Sequence, residues 1–175
     1  MEGVFVIARP SWQGIGGLAA AVLAVISLFL PWTVLPPATP DVQAALAELP
    51  PGDVTRSVWR ATFLGWFPPL LIAAAGGTVA AIGRIHAART GGLPQLWLIA
   101  AVVAALCAAF GWIYIEWQFG AEERAVLEAS GVTVAAGTGR YLGALAALAS
   151  LVFAVLDVRA LRAETRRRRP ARRRR

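Results

Sequence analysis

The sequence predicts an all-α integral membrane protein: a four-helix transmembrane bundle with short extracytoplasmic loop helices. Three observations carry that expectation. Apolar residues make up 58% of the 175-residue chain and mean hydropathy is +0.62, too apolar for a water-soluble domain of this size. These residues gather in four runs, at 14–32, 63–82, 95–117 and 141–158, each near the roughly 20 residues that cross a bilayer. The formal charge of +7 is local, because residues 159–175 hold ten Arg and one acid while residues 1–158 hold seven Arg and nine acids. The chain therefore divides into a four-span transmembrane domain, 1–158, and a cytoplasmic Arg-rich tail, 159–175.

The first run carries no charge from Gly14 to Trp32 and is longer than the 7–15 apolar residues of a signal peptide. The polar segment 33–60 contains a short helix: Thr39 can cap it, Pro40 fits its first position, and Val42, Ala45, Leu46 and Leu49 form one apolar face before Pro50-Pro51-Gly52 stops it. The second run opens with Trp66-Phe67-Pro68-Pro69, and proline in a first turn removes no needed hydrogen bond. The link 83–94 holds Arg84, His86, Arg89 and Gly91-Gly92, and is short enough to make runs two and three a hairpin. A second loop helix is expected over 121–130, acidic at its start and closed by Gly131. The fourth run can continue as a helix over 156–169, with Glu164 and Arg168 paired, until Pro170 ends it.

The link has two Arg and no acid, while the outer loops collect Asp41, Glu48, Asp53, Glu122, Glu123 and Glu128. This bias predicts a multi-pass protein of the plasma (inner) membrane with both termini cytoplasmic. Trp12, Trp32, Trp59, Trp66, Trp97 and Trp117 fall near run ends and are expected as interface anchors, and Trp112 is expected against a neighbouring helix. The halves 1–85 and 93–160 share one plan of span, loop helix and returning span. Duplication and independent hairpins of similar length both account for it.

Polar residues within the runs are few: Ser27, Thr78, Cys107 and Ser150, with Glu116 and Asp157 at the ends. Proton relays and ion-coupled carriers place ionisable groups at membrane depth, and no such group is found here. One histidine excludes bis-histidine haem ligation within the chain, and one cysteine excludes an intramolecular disulfide or thiolate cage. The sequence assigns no catalytic residue, no metal ligand, no cofactor and no small-molecule substrate. Glu116 and Arg140 are expected to pair at the outer surface. Small residues recur every fourth position, at Gly16, Ala20, Ala24; Ala73, Gly77, Ala81; Ala101, Ala105, Ala109; and Gly139, Gly143, Ala147, which suits close helix packing.

Pro31-Trp32-Thr33 closing the first run, Gly139-Arg140-Tyr141-Leu142 opening the fourth, and the Arg-only tail together resemble the small four-span membrane proteins of actinobacteria. The resemblance is one of layout and implies no site residue. A claudin-like plan also has four spans, but its Trp and paired Cys are not present as a set in the first outer loop.

The candidate contact residues are Arg166, Arg167, Arg168, Arg169, Arg172, Arg173, Arg174 and Arg175. They can anchor topology alone, or attract anionic lipid headgroups at about 1 kcal/mol per Arg near the surface. Basicity confined to a tail gives no warrant for specific nucleic-acid binding. The sequence thus points to a non-catalytic accessory or scaffold subunit whose partners are the bilayer and other membrane proteins. A small transporter or lipid-handling protein is the rival expectation, and an enzyme comes third.

Overall fold

The computed structural model describes residues 11–37 and 39–172; the side chains of His86 and of residues 167–172 fall outside that description. Helix α1, Trp12–Ser27, starts where the Ser11 hydroxyl accepts the Gly14 N–H at 3.2 Å. It stops short of the apolar run that contains it. Pro31 has no N–H to continue the ladder, and Pro31–Val34 forms a strand, β1. The first loop then supplies α2, Pro40–Ala47, capped by Thr39 as expected, a single turn α3, Pro51–Val54, and strand β2, Thr55–Ser57.

Helix α4, Phe63–Ile82, begins well before Pro68 and Pro69, so both lie inside the helix rather than in its first turn. They free the carbonyls of Leu64 and Gly65. Gly111 sits against the first of these, where a Cβ would lie 2.9 Å from the Leu64 oxygen. A short α5, His86–Thr90, leads to Gly92, whose φ of 104° turns the chain into α6, Leu93–Ile113. Trp117 lies beyond α6, in a 3-10 turn, Ile115–Gln118. Helix α7, Ala121–Ala129, closes at Gly131, φ 67°. Strand β3, Ala135–Ala136, precedes α8, Thr138–Arg172. This last helix runs 35 residues, about 52 Å, and passes Pro170, where the sequence alone suggests a stop. Proline there removes one donor but does not break the helix, whose described part continues through Arg172.

Three helices, α4, α6 and α8, are long and apolar enough to cross a membrane, and α1 is a shorter apolar helix of 16 residues, about 24 Å. The protein is membrane-embedded, multi-pass and largely helical. Its four long helices form a ring in the order α1, α4, α6, α8, each antiparallel to both neighbours. The middle of the bundle is filled by Ala20, Ala24, Ile72, Ala104, Ala146 and Ala147, and a second layer by Val79, Trp97, Ala101 and Ala154.

The small-residue stripes of α1 and α8 face this interior, whereas that of α4 does not: Gly76 is buried and Gly77 is exposed. Positions four apart drift by about 40° per step around a helix of 3.6 residues per turn, so a fourth-position pattern cannot by itself locate the buried face.

Strands were not expected. β1 is the centre of a three-stranded antiparallel sheet, order β2-β1-β3, in which Thr33 faces Arg56 on one side and Ala136 on the other. The two long loops are thus stitched into one cap, with a small core of Leu35, Phe119 and Val132 against Val42, Leu127 and Val134.

Candidate functional site

Of the Arg residues the sequence singles out, Arg166 is exposed on α8, about 12 Å along the axis from Val158. Arg167, Arg168, Arg169 and Arg172 continue the helix, with side chains outside the described residues, as is the Glu164–Arg168 pair. Arg173, Arg174 and Arg175 lie outside the described residues altogether. The described part of the tail is therefore a helix continuous with a membrane-embedded one.

At this end of the bundle the chain builds an ion pair the sequence does not reveal. The α5 turn carries Arg89 under the bundle, where its Nη2 donates to Asp157 Oδ1 at 3.0 Å. Asp157 is only 5% exposed. Its position was legible in principle, because Gly143, Ala147, Ser150, Ala154 and Asp157 follow at helical spacing and all are buried. The partner was not, since it stands on another element. Beside the pair lies an open cavity of about 70 Å3, walled by Ile15, Leu18 and Val79 and edged by Arg84, Arg89 and Asp157.

At the opposite end, the two motifs quoted for the resemblance meet. The Trp32 indole lies in a trough made by Gly139 and Gly143, where a Cβ would come within 2.6 Å and 3.1 Å of its ring. Its Nε1 donates to the Ser27 carbonyl at 2.6 Å. Arg140, 6% exposed, donates through Nη1 to the Gly111 carbonyl and through Nε to the Trp32 carbonyl at 3.4 Å, with its guanidinium 5.8 Å from the Trp32 ring.

Gly111 is in the last turn of α6, so its carbonyl has no helical partner and sits at the negative end of the helix dipole. This corrects the expected Glu116–Arg140 pair. Arg140 turns into the bundle, while Glu116 lies exposed in the 3-10 turn. Trp32 and Trp97 likewise are core residues rather than interface anchors, and Trp97 donates to Ser150 Oγ at 3.1 Å. Trp12, Trp59 and Trp117 are exposed, and Trp112 packs edge-on against Tyr141, ring centroids 5.0 Å apart.

The cap is held across its two loops by Arg56, which pairs with Glu123 at 3.2 Å and lies 4.2 Å over the Phe119 ring. Thr33 donates to Gln118 Oε1 at 3.0 Å, and Arg60 clasps Asp53 at 2.9 Å within the first loop. The Gly120 N–H, followed by Arg56, holds the Glu123 carboxyl below the usual glutamate range.

Among the described residues no three His, Cys, Asp or Glu side chains gather to hold a metal ion. The cavity beside Arg140 measures about 20 Å3, room for about one water molecule. Larger depressions, one beside Arg162 and Arg166 and one beside Asp53 and Arg60, are shallow and open to the surroundings. Comparison of the chain with models of known protein families, with curated proteins and with solved structures gives no match.

Proposed function

We propose that the protein is a non-catalytic, four-span membrane protein that serves as an accessory or scaffold subunit of a larger membrane complex. Helix α1 supplies the fourth crossing. It packs lengthwise against α4 and α8, both long enough to span, and the Leu28–Leu30 turn extends it toward the cap. The Arg bias places both termini on the cytoplasmic side of the plasma membrane. Ser11 and Asp157 edge the same cavity, which supports one side for both ends of the bundle.

One observation carries the scaffold reading: α8 is an unbroken helix of about 52 Å that begins at the cap and ends in the basic extension. A rod of that length is longer than the roughly 30 Å of hydrocarbon and holds a folded element at one end at a fixed distance from a charged one at the other. The rival transport reading finds little support, because the two cavities described above among the described residues of the long helices measure about 70 and 20 Å3, against the roughly 300 Å3 at which ligand pockets begin.

Quantitative crosslinking and co-purification from native membranes test the proposal. A reproducible membrane-protein partner, crosslinked through the cap or the basic helix, is the expected result. Recovery of the protein alone under several crosslinking chemistries overturns it.

A further inference from the structure

We infer that the tail-end cavity is a binding site for the phosphate headgroup of an anionic phospholipid in the leaflet on that side. The inference needs the membrane embedding but not the partner complex. It rests on how the cavity is built. Its floor and one wall are apolar, with Ile15 and Leu18 of α1 also exposed on the outer surface of the bundle, where acyl chains run. Its rim is cationic: Arg84 is exposed at the end of α4, and Arg89 lies half-buried across from it. An apolar wall continuous with the lipid-facing surface and a basic rim at headgroup level match the two parts of one phospholipid.

The charge balance selects an anion. Asp157 is the one carboxylate among the described residues that line the cavity, and Arg89 Nη2 already holds it at 3.0 Å. That contact commits one edge of a planar guanidinium that has five N–H donors, and it fixes the group in place. Among the described residues Arg84 is paired with no carboxylate, so the described rim carries one more positive charge than negative. The first turns of α1 and α6 reach the same cavity through Gly14 and Leu93, which adds the positive ends of two helix dipoles. The cavity, about 70 Å3, is far below the roughly 300 Å3 at which pockets for whole ligands begin, so it suits a group the size of a phosphate, with the chains outside it along Ile15 and Leu18. Basic pockets between helices at a membrane face commonly bind headgroups by this combination.

The test uses the full-length protein in nanodiscs of equal phosphatidylglycerol and phosphatidylcholine, released and weighed by native mass spectrometry. One retained phosphatidylglycerol is expected. Arg84→Gln lowers the retained ratio of anionic to zwitterionic lipid about fivefold, the factor that about 1 kcal/mol per surface Arg corresponds to. Arg84→Lys keeps the preference. Replacing Arg172–Arg175 with Gln leaves the single retained lipid in place, which separates this site from general attraction to the tail. A phosphatidylglycerol with a photoreactive group near its glycerol labels Ile15 or Leu18. An unchanged ratio in Arg84→Gln, loss of the lipid in the tail variant, labelling elsewhere, or displacement by millimolar inorganic phosphate alone each overturns the inference. Arg84 is exposed, so its variants are expected to keep the fold, and unaltered thermal unfolding verifies this for each.

Discussion

Gly76 and Gly77 are neighbours on α4 with opposite surroundings, and substituting each with Ala separates the buried seam from the exposed face. A Cβ on Gly76 would lie 2.6 Å from the Gly17 carbonyl oxygen and 2.8 Å from the Ala21 Cβ, both on α1. Ordinary contact begins near 3.4 Å, so the shortfall against the oxygen is about 0.8 Å. The obstacle is backbone, which cannot rotate away; the helices themselves must part. A gap of about 0.5–1 Å forfeits a quarter to a half of each neighbouring dispersion contact along the seam. The expected cost of Gly76→Ala is therefore about 1–3 kcal/mol, the range found for overpacked cores.

A Cβ on Gly77 meets nothing within 4 Å. Gly77→Ala should be neutral, or stabilising by up to about 1 kcal/mol through helix propensity. Thermal unfolding of the two purified variants in one detergent, followed by helical circular dichroism, gives the comparison. If Gly77→Ala unfolds at the lower temperature, the helix faces are misassigned and the packing of α1 on α4 is wrong.

Removing the Trp97–Ser150 hydrogen bond by Ser150→Ala should cost about 0.6 kcal/mol, the average for polar pairs inside membrane bundles, and a double-mutant cycle with Trp97→Phe should return a coupling of that size in the same assay. Asp157→Ala leaves Arg89 without its acceptor. As Asp157 is buried and Arg89 is half-exposed, the loss should be about 2 kcal/mol, between the limits for exposed and buried pairs, measured by denaturant unfolding in detergent. Gly139→Val drives a branched side chain into the Trp32 indole and the Ser27 carbonyl, and should raise hydrogen exchange in β1 and β3 before it affects α4 or α6. The folded-state pKa of Glu123 is depressed, so its contribution to the cap is fully present above the unfolded value near 4.5 and is lost as pH falls through the lower folded value. Protection of Ala121–Ala129 from exchange, relative to the intrinsic amide rate at each pH, should fall on acidification below about pH 4.5, and Glu123→Gln should remove that dependence.

The parts legible in the sequence are those whose signals are local. Thr39-Pro40 starts α2 and Gly131 closes the turn after α7 because capping and positive φ act within a few residues. Apolar run length likewise identified the long helices. The cap sheet was hidden for a different reason. Pro31-Trp32-Thr33-Val34 reads as the tail of an apolar run, and Ala135-Ala136 has no strand preference of its own. Both become strands only because each satisfies the other's backbone across about a hundred residues of chain, with β2 on the far side. Arg140 and Asp157 fall between these cases. The buried stripe of α8 includes both positions, but a charge at a run end reads as interfacial until its partner is known.

Those two residues explain why α8 has a fixed height in the bundle. They lie 17 positions apart, about 26 Å, close to the hydrocarbon thickness, and both face inward. Arg140 is fastened to the free carbonyl at the end of α6, and Asp157 to Arg89 in the link before α6 begins. One helix is thus pinned at both ends to the same neighbour. The Ala- and Gly-rich seam between them offers smooth surfaces that would tolerate a shift of one turn, about 5.4 Å, with little change in contact. Such a shift would break both attachments and carry one of the two charges toward the midplane, at about 2.5–3.5 kcal/mol or more. The apolar residues make α8 a membrane helix, and the two charges at its margins set its register; through that register the cap and the basic extension hold a constant separation.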